Sequence, residues 1–403
     1  MRQRPTPRLV RRIAQPVALA SAAVVVLAGC SGGGKADGDS DKARGDKNSE
    51  PPAIVVEPGG ANAKVPVGQK VTVRAQGGSL SSVEVTSPGP GALSGTWSKG
   101  KSVWTSTAPL APGATYTVKA DGRANGGSHL TKTASFTTEA PKNPVVGEYF
   151  PDKGATVGVA MPVSITFNRP IQDKAAVERK LKVTASPAVE GAWSWMKDRN
   201  GKDRIDYRPE KYWKPGTDVT LRMDLAGVNA GGGVYGTQQR VVNFRIGDAV
   251  TSTVDVNKKT MTVSKNGRLL RTLKVSSGKK GFETWNGTMV VLSKVPTIRM
   301  NSRTVGIFGS EAYNLGSVKW DVQLTPSGTY VHAAPWNAGK FGVVNGSHGC
   351  IGMSTSDAKW FYGQVHLGDP VTVVHSVDTV AVNNGYGDWN VGWEAWKKGS
   401  ALD

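Results

Sequence analysis

A chain of 403 residues, 38% of them apolar, has room for roughly two to four domains and can bury a sizeable core. With 50 Gly and 23 Pro and few helix-length periodic stretches, the balance falls towards strands and turns, so the fold class expected is mainly β. A formal net charge of +19 could signal a nucleic-acid partner, but the first thirty residues argue for export, and so against nucleic acid.

Those residues begin with Arg2, Arg4, Arg8, Arg11 and Arg12, followed by an apolar run from Val17 to Leu27. The run is about 11 residues, against about 20 for a bilayer-spanning helix, and fits the apolar part of a secretory signal. Leu27-Ala28-Gly29-Cys30 resembles a bacterial lipobox, in which the signal is cut before the Cys and the thiol is acylated. An ordinary signal peptide cut near Ala28 is the alternative. Either way 1–29 is a removable export segment, and its loss leaves roughly +14 on the mature chain, suited to anionic wall polymers and lipid headgroups. Residues 30–52 are Gly, Ser, Asp and Lys with almost nothing apolar, the composition of a disordered tether from a membrane anchor at Cys30.

A repeat with a period of about 100 residues follows. Ala63-Lys64-Val65-Pro66-Val67 leads into Lys70-Val71-Thr72-Val73, as Ala155-Thr156-Val157-Gly158-Val159 leads into Val163-Ser164-Ile165-Thr166-Phe167. Pro112-Gly113-Ala114-Thr115-Tyr116 and Pro215-Gly216-Thr217-Asp218-Val219 match in the same way. Alternating strands with Pro-Gly turns read as two Ig-like β-sandwich domains, 53–140 and 144–247. Trp97, Trp104, Trp193 and Trp195 are expected to supply core volume, with sugar-binding platforms as the alternative.

From 248 to 375 the pattern changes. Val254-Asp255-Val256 and Thr260-Met261-Thr262-Val263 read as strands, and Asn266-Gly267 as a hairpin turn before Leu269–Val275. Further strands are expected at 288–292, 329–332 and 370–374. Ser354 with Asp357 three residues on opens a helix whose Ala358, Phe361, Tyr362 and Val365 share a face. The last segment, 376–403, contains Trp389, Trp393 and Trp396 and is too apolar to stay in solvent, so it should pack on the protein.

There are two cysteines. If Cys30 carries lipid, Cys350 has no partner, and an unpaired thiol in an exported protein needs a reason. The alternative disulfide would tie a flexible tether to a distant domain. Two of the five His lie shortly before Cys350, namely His332 and His348. A neighbouring imidazole can take the proton of a weakly nucleophilic thiol, and Gly349 lets backbone N–H groups approach a substrate oxyanion. A buried structural Cys beside two polar His is the bland alternative. Asp and Glu are scattered and the His pair has no third ligand at metal-binding spacing, so neither metal nor other cofactor is expected.

His332, fourteen residues, then Ser347-His348-Gly349-Cys350 resembles the L,D-transpeptidase signature, and Ser354–Tyr362 is similar to the helix that follows the nucleophile in that family. Papain-like enzymes place Cys before His, and sortases need a Thr-Leu-x-Thr-Cys segment; neither fits. The resemblance implies an L,D-transpeptidase catalytic β-sandwich over 248–375, in the branch with Ig-like domains in front. It implies that Cys350 attacks the third residue of a peptidoglycan stem tetrapeptide, expels D-Ala, and passes the acyl group to the diamino acid of a second stem as a 3→3 cross-link. His332 would be the base, oriented by the carbonyl of Ala333, and His348, Gly349 and Cys350 would line the oxyanion site. Met300, Tyr313, Trp336 and Ser347 would form the substrate lid and pocket. Gly352 departs from the Asn or Arg usual two residues after the nucleophile, removing a polar side chain from the pocket edge. An L,D-carboxypeptidase and a non-catalytic wall-binding lipoprotein are the alternatives.

Overall fold

A computed structural model describes residues 51–402 apart from 60–63, 67 and 89–90. The export segment 1–29, Cys30 and nearly all of the tether 30–52 lie outside the described residues.

The first sandwich sets the sheet Ala53–Glu57, Thr72–Gln76, Val103–Ser106, Gly95–Trp97 against a five-stranded sheet whose long members are Gly78–Ser87, Thr115–Ala124 and His129–Thr138. Period-two alternation puts Val73, Tyr116, Val118 and Phe136 inside, and Trp104 joins them. Trp97 departs from the expectation. It ends the short edge strand Gly95–Trp97 and is 41% exposed, with the ammonium of Lys101 5.9 Å from its ring centroid. Trp104 fills the core because Gly95 leaves room beneath its indole, where a Cβ would stand 2.2 Å from the ring.

The second sandwich pairs Gly147–Phe150, Val163–Phe167, Asp203–Pro209, Gly191–Lys197 with Thr156–Val157, Gln239–Ile246, Asp218–Asp224, Leu181–Ser186. Trp193 is buried in its core, and Trp195 lies part-buried against Phe167. Every residue of Asp203–Pro209 is buried. One face gives Ile205 and Tyr207 to the core; the other presents Arg204, Asp206 and Arg208 to the C-terminal segment. There Arg204 binds Asp206 and reaches Asp388, and the Arg208 guanidinium lies 4.6–5.5 Å from the rings of Trp389, Trp393 and Trp396. Trp389 Nε1 donates to Ala160 O and Trp396 Nε1 to Ala192 O, so the tail packs on the protein with its indole N–H groups satisfied.

The C-terminal unit packs two sheets face to face. One runs Arg268–Lys274, Thr260–Lys265, Val250–Asp255, Pro370–Val374, Gly287–Val290; the other runs Ser293–Asn301, Asn314–Gln323, Tyr330–Ala333, Ile351–Met353. Asn266 and Gly267 both have positive φ, the geometry a two-residue hairpin turn requires. The helix Thr355–Gln364 is capped by Ser354 Oγ, which accepts from the Asp357 N–H at 3.1 Å, and buries Ala358 and Phe361. Tyr330–Ala333 and Ile351–Met353 pair in parallel, His332 opposite Gly352. Val331, Ala333, Ile351 and Met353 enter the core, which turns His332 and Gly352 to the other face.

Candidate active site

That face carries a cleft of about 290 Å³. Cys350, His332, His348, Met300, Tyr313, Trp336 and Ser347 all line it, so the structure gathers residues separated by up to 50 positions. Ala333 and Gly349 do not line it. Ala333 is buried in the core, and only its carbonyl serves the site, accepting from His332 Nδ1 at 2.8 Å. Because a carbonyl can only accept, Nδ1 carries the proton and Nε2 is left with a free lone pair. Trp336 stacks on the same imidazole, ring centroids 5.9 Å apart.

Cys350 is a free thiol, 7% exposed, and its Sγ points at the carbonyl of Gly328 at 3.4 Å. Burial pushes its pKa up to about 11; the backbone N–H of Tyr330 draws it down, and Asp321 raises it further. Burial also lowers the pKa of His332, against the pull of the Ala333 carbonyl. At rest near neutral pH the site therefore holds a thiol and a neutral imidazole rather than an ion pair.

The His348 side chain and the Gly349 N–H each have a partner within the protein. His348 Nε2 meets Glu311 Oε2 at 2.6 Å, and its ring packs between Phe282 and Tyr313, at 4.8 and 5.2 Å. The Gly349 N–H donates to Ser347 Oγ at 3.2 Å, while Ser347 Oγ donates to the Cys350 carbonyl at 2.6 Å. The serine closes the turn on itself, so the Gly349 N–H is already occupied. Gly349 adopts φ +110°, open to glycine and rarely to other residues.

The stretch expected to form the lid runs between Met300 and Tyr313. Ser302 Oγ accepts from the Tyr313 N–H and donates to the Ile307 carbonyl, tying the two ends. Glu311 fastens it to the floor through His348 and through Lys279 Nζ, also at 2.6 Å, and both contacts hold its carboxyl below the usual range. Burial, with Cys350 nearby, raises the Tyr313 phenol to about 12. Glu311, Lys279 and Phe282 escaped sequence reasoning: they come from segments far from Cys350 and stand in no recognisable motif.

At Gly352 the missing side chain has a steric cause. A Cβ there would stand 2.9 Å from Ala334 Cβ, and Gly352 exchanges two backbone hydrogen bonds with Ser276 at 2.9 Å. Ala334 fills the space from the opposite side.

Residues 250–373 match the L,D-transpeptidase catalytic domain, and residues 62–229 match a bacterial Ig domain, a stretch that crosses both sandwiches. L,D-transpeptidase 2 of Mycobacterium tuberculosis is 37% identical over 339 residues, covering 84% of this chain and 82% of that protein. L,D-transpeptidase 5 of the same organism is 32% identical over 355 residues, 87% of this chain and 77% of its own. A solved LD transpeptidase in complex with imipenem superposes with a TM-score of 0.50 at 36% identity, over 58% of this chain and 100% of that one. A thiol and an oriented imidazole in one cleft, on a domain matched along its length in these relatives, leave one conclusion: the chain belongs to the L,D-transpeptidase family.

Proposed function

We propose that this enzyme forms 3→3 cross-links between peptidoglycan stem peptides through a thioester on Cys350. The observation that carries the reading is His332: its Nδ1 proton is fixed on the Ala333 carbonyl, which leaves Nε2 as a base in the cleft that Cys350 lines. The names of the relatives support the reaction class.

In this mechanism the Cys350 thiol swings away from Gly328 and passes its proton to His332 Nε2 as the sulfur attacks the carbonyl of the third stem residue. The tetrahedral intermediate collapses, the C–N bond to the terminal D-Ala breaks, and the imidazolium returns the proton to the departing amine. The side-chain amine of a second stem then attacks the thioester, the C–S bond breaks, and the thiol is restored. Tyr313, Met300 and the stacked Trp336 supply apolar walls that exclude water, which favours transfer over hydrolysis.

The location belongs to the same proposal. Acylated Cys30 holds the protein at the outer face of the cell membrane after removal of 1–29, and the tether with the two sandwiches sets its reach into the wall. The basic surface suits anionic wall polymers.

Intact mass of the protein after incubation with a carbapenem tests the nucleophile: one stoichiometric adduct is expected on the native chain and none on Cys350→Ala. Disaccharide-tetrapeptide should yield a cross-linked dimer; accumulation of tripeptide alone would make the enzyme a carboxypeptidase. Cys30→Ser should release the protein from membranes, and persistent membrane association would reject the anchor.

A further inference from the structure

A second cavity, of about 230 Å³, adjoins the cleft through Met300 and Tyr313, which line both. Pro326, Gly328 and Tyr330 form another of its walls. Cys350, which lines the cleft, touches that wall: its Sγ lies 3.4 Å from the Gly328 carbonyl. Val305 packs on Gly328, where a Cβ would stand 2.5 Å from Val305 Cγ1, so the glycine lets the wall and the segment between Met300 and Tyr313 close together. The nucleophile thus stands at the junction of the two spaces.

One charged side chain lines the second cavity, Arg299, and no acid does. Its placement has a local cause. Ile298 pairs with Val318 and Met300 with Leu315, so the strand Asn314–Gln323 carries one residue too many here, and Gly316 and Ser317 together oppose Arg299. A bulge of this kind interrupts the alternation of faces and re-aims side chains. The neighbours Arg299 and Met300 accordingly line the same space. Gly316 brings no side chain to cover the guanidinium, and a Cβ there would meet nothing within 4 Å.

Arg299 is exposed, at the mouth of the cavity, yet it is oriented: its Nε donates to Asn314 Oδ1 at 3.0 Å. Among the described residues no carboxylate pairs with it. Glu311, the acid of the nearby segment, is held by Lys279 and His348 instead. A guanidinium steered through Nε and left without a counter-charge suits an anion from outside, and its two terminal nitrogens match the two oxygens of a carboxylate.

We propose that Arg299 is a specificity-determining residue that holds a stem-peptide carboxylate at the mouth of the second cavity while the same peptide reacts at Cys350. The inference rests on the reading of Cys350 as the nucleophile of stem-peptide cross-linking. That reaction offers two such carboxylates. One is the terminal carboxylate of the donor, on the D-Ala whose amine departs. The other lies beside the attacking amine of the acceptor, where its diamino acid carries a carboxyl on the amine-bearing carbon. In both, a single carbon separates the carboxylate from the nitrogen whose bond to the acyl carbon breaks or forms. Holding that charge therefore orients the reacting nitrogen. No bond is made or broken at Arg299, and no proton leaves it.

The test compares the full chain with Arg299→Gln and Arg299→Lys, each checked by calorimetry for a native thermal transition. In one arm the donor is disaccharide-tetrapeptide with its terminal D-Ala as free acid or as amide, and the rate of Cys350 acyl-enzyme formation is read by intact mass. In the other arm the donor is saturating and the acceptor is a tripeptide stem ending in diaminopimelate. Its carboxyl beside the side-chain amine is free or amidated, and cross-linked dimer is read. The native chain should prefer the free acid about tenfold in one arm, through its half-saturating concentration. Arg299→Gln should abolish that preference by weakening the acid alone, with limiting rates and the amide unchanged within about threefold. Arg299→Lys should keep part of it. Loss in the first arm assigns the donor carboxylate, and loss in the second the acceptor carboxylate. No native preference in either arm, or one that survives intact in Arg299→Gln, overturns the proposal. Tripeptide product without dimer defeats the cross-linking reading, and the first arm then decides Arg299 alone. Acyl-enzyme persisting on Cys350→Ala defeats the nucleophile assignment whatever Arg299 does.

Discussion

Nε2 of His348 and Oε2 of Glu311 lie 2.6 Å apart, joining the residue two before Cys350 to the segment between Met300 and Tyr313. The same carboxylate oxygen meets Lys279 Nζ, so one acid fastens that segment at two points. The contact is partly solvent-exposed and its strength modest.

Glu311→Gln is expected to raise KM for the stem tetrapeptide severalfold and to leave the thermal transition nearly unchanged, measured by steady-state kinetics beside calorimetry. The pH dependence follows from the lowered carboxyl. Its contribution is complete above the unfolded carboxylate pKa and is lost as pH falls through the lower folded value, so native KM should climb only in the acid range. The Gln variant should lack that climb.

The Cys350 thiol, at about 11, predicts how the free enzyme responds to alkali. Alkylation should rise about tenfold per pH unit and reach no plateau below about pH 10. A plateau near pH 8 would mean a thiolate stabilised at rest, contrary to the buried site described.

Gly352→Asn should cut carbapenem acylation sharply, because its Cβ meets that of Ala334 at 2.9 Å. Overpacking of this kind costs about 1–3 kcal/mol. Adding Ala334→Gly to the Asn variant should restore both thermal stability and acylation. Failure of the second change to rescue either would show that more than steric space sets the residue at 352.

Arg204→Ala leaves Asp206 and Asp388 buried without their cation and should destabilise the protein by about 3–5 kcal/mol in denaturant titration. Trp396→Ala removes a 1% exposed indole with its hydrogen bond to Ala192 and should cost about 3–5 kcal/mol, with new proteolysis within residues 385–402.

Much of the fold is legible in the residue pattern because it depends on local chemistry. Asn266-Gly267 encodes its turn through the φ values those residues tolerate, Ser354 and Asp357 announce a helix start, and alternating Val, Ile and Thr mark strands whose two faces meet different surroundings. Trp97 shows the limit. Its composition matches that of Trp104, but burial depends on place in the sheet, and an edge strand leaves it exposed.

The sequence by itself determined which residues are reactive, Cys350 with His332 and the Ser347-His348-Gly349-Cys350 segment, through their resemblance to the L,D-transpeptidase signature. The motif carries that much because its four residues are contiguous and form one local turn. Only the tertiary structure decided what each does within the cleft. It turned His348 towards Glu311, closed the Gly349 N–H on Ser347, and filled the space beside Gly352 with Ala334. Those partners come from separate strands and loops, and only packing the two sheets brings them within hydrogen-bonding or electrostatic range.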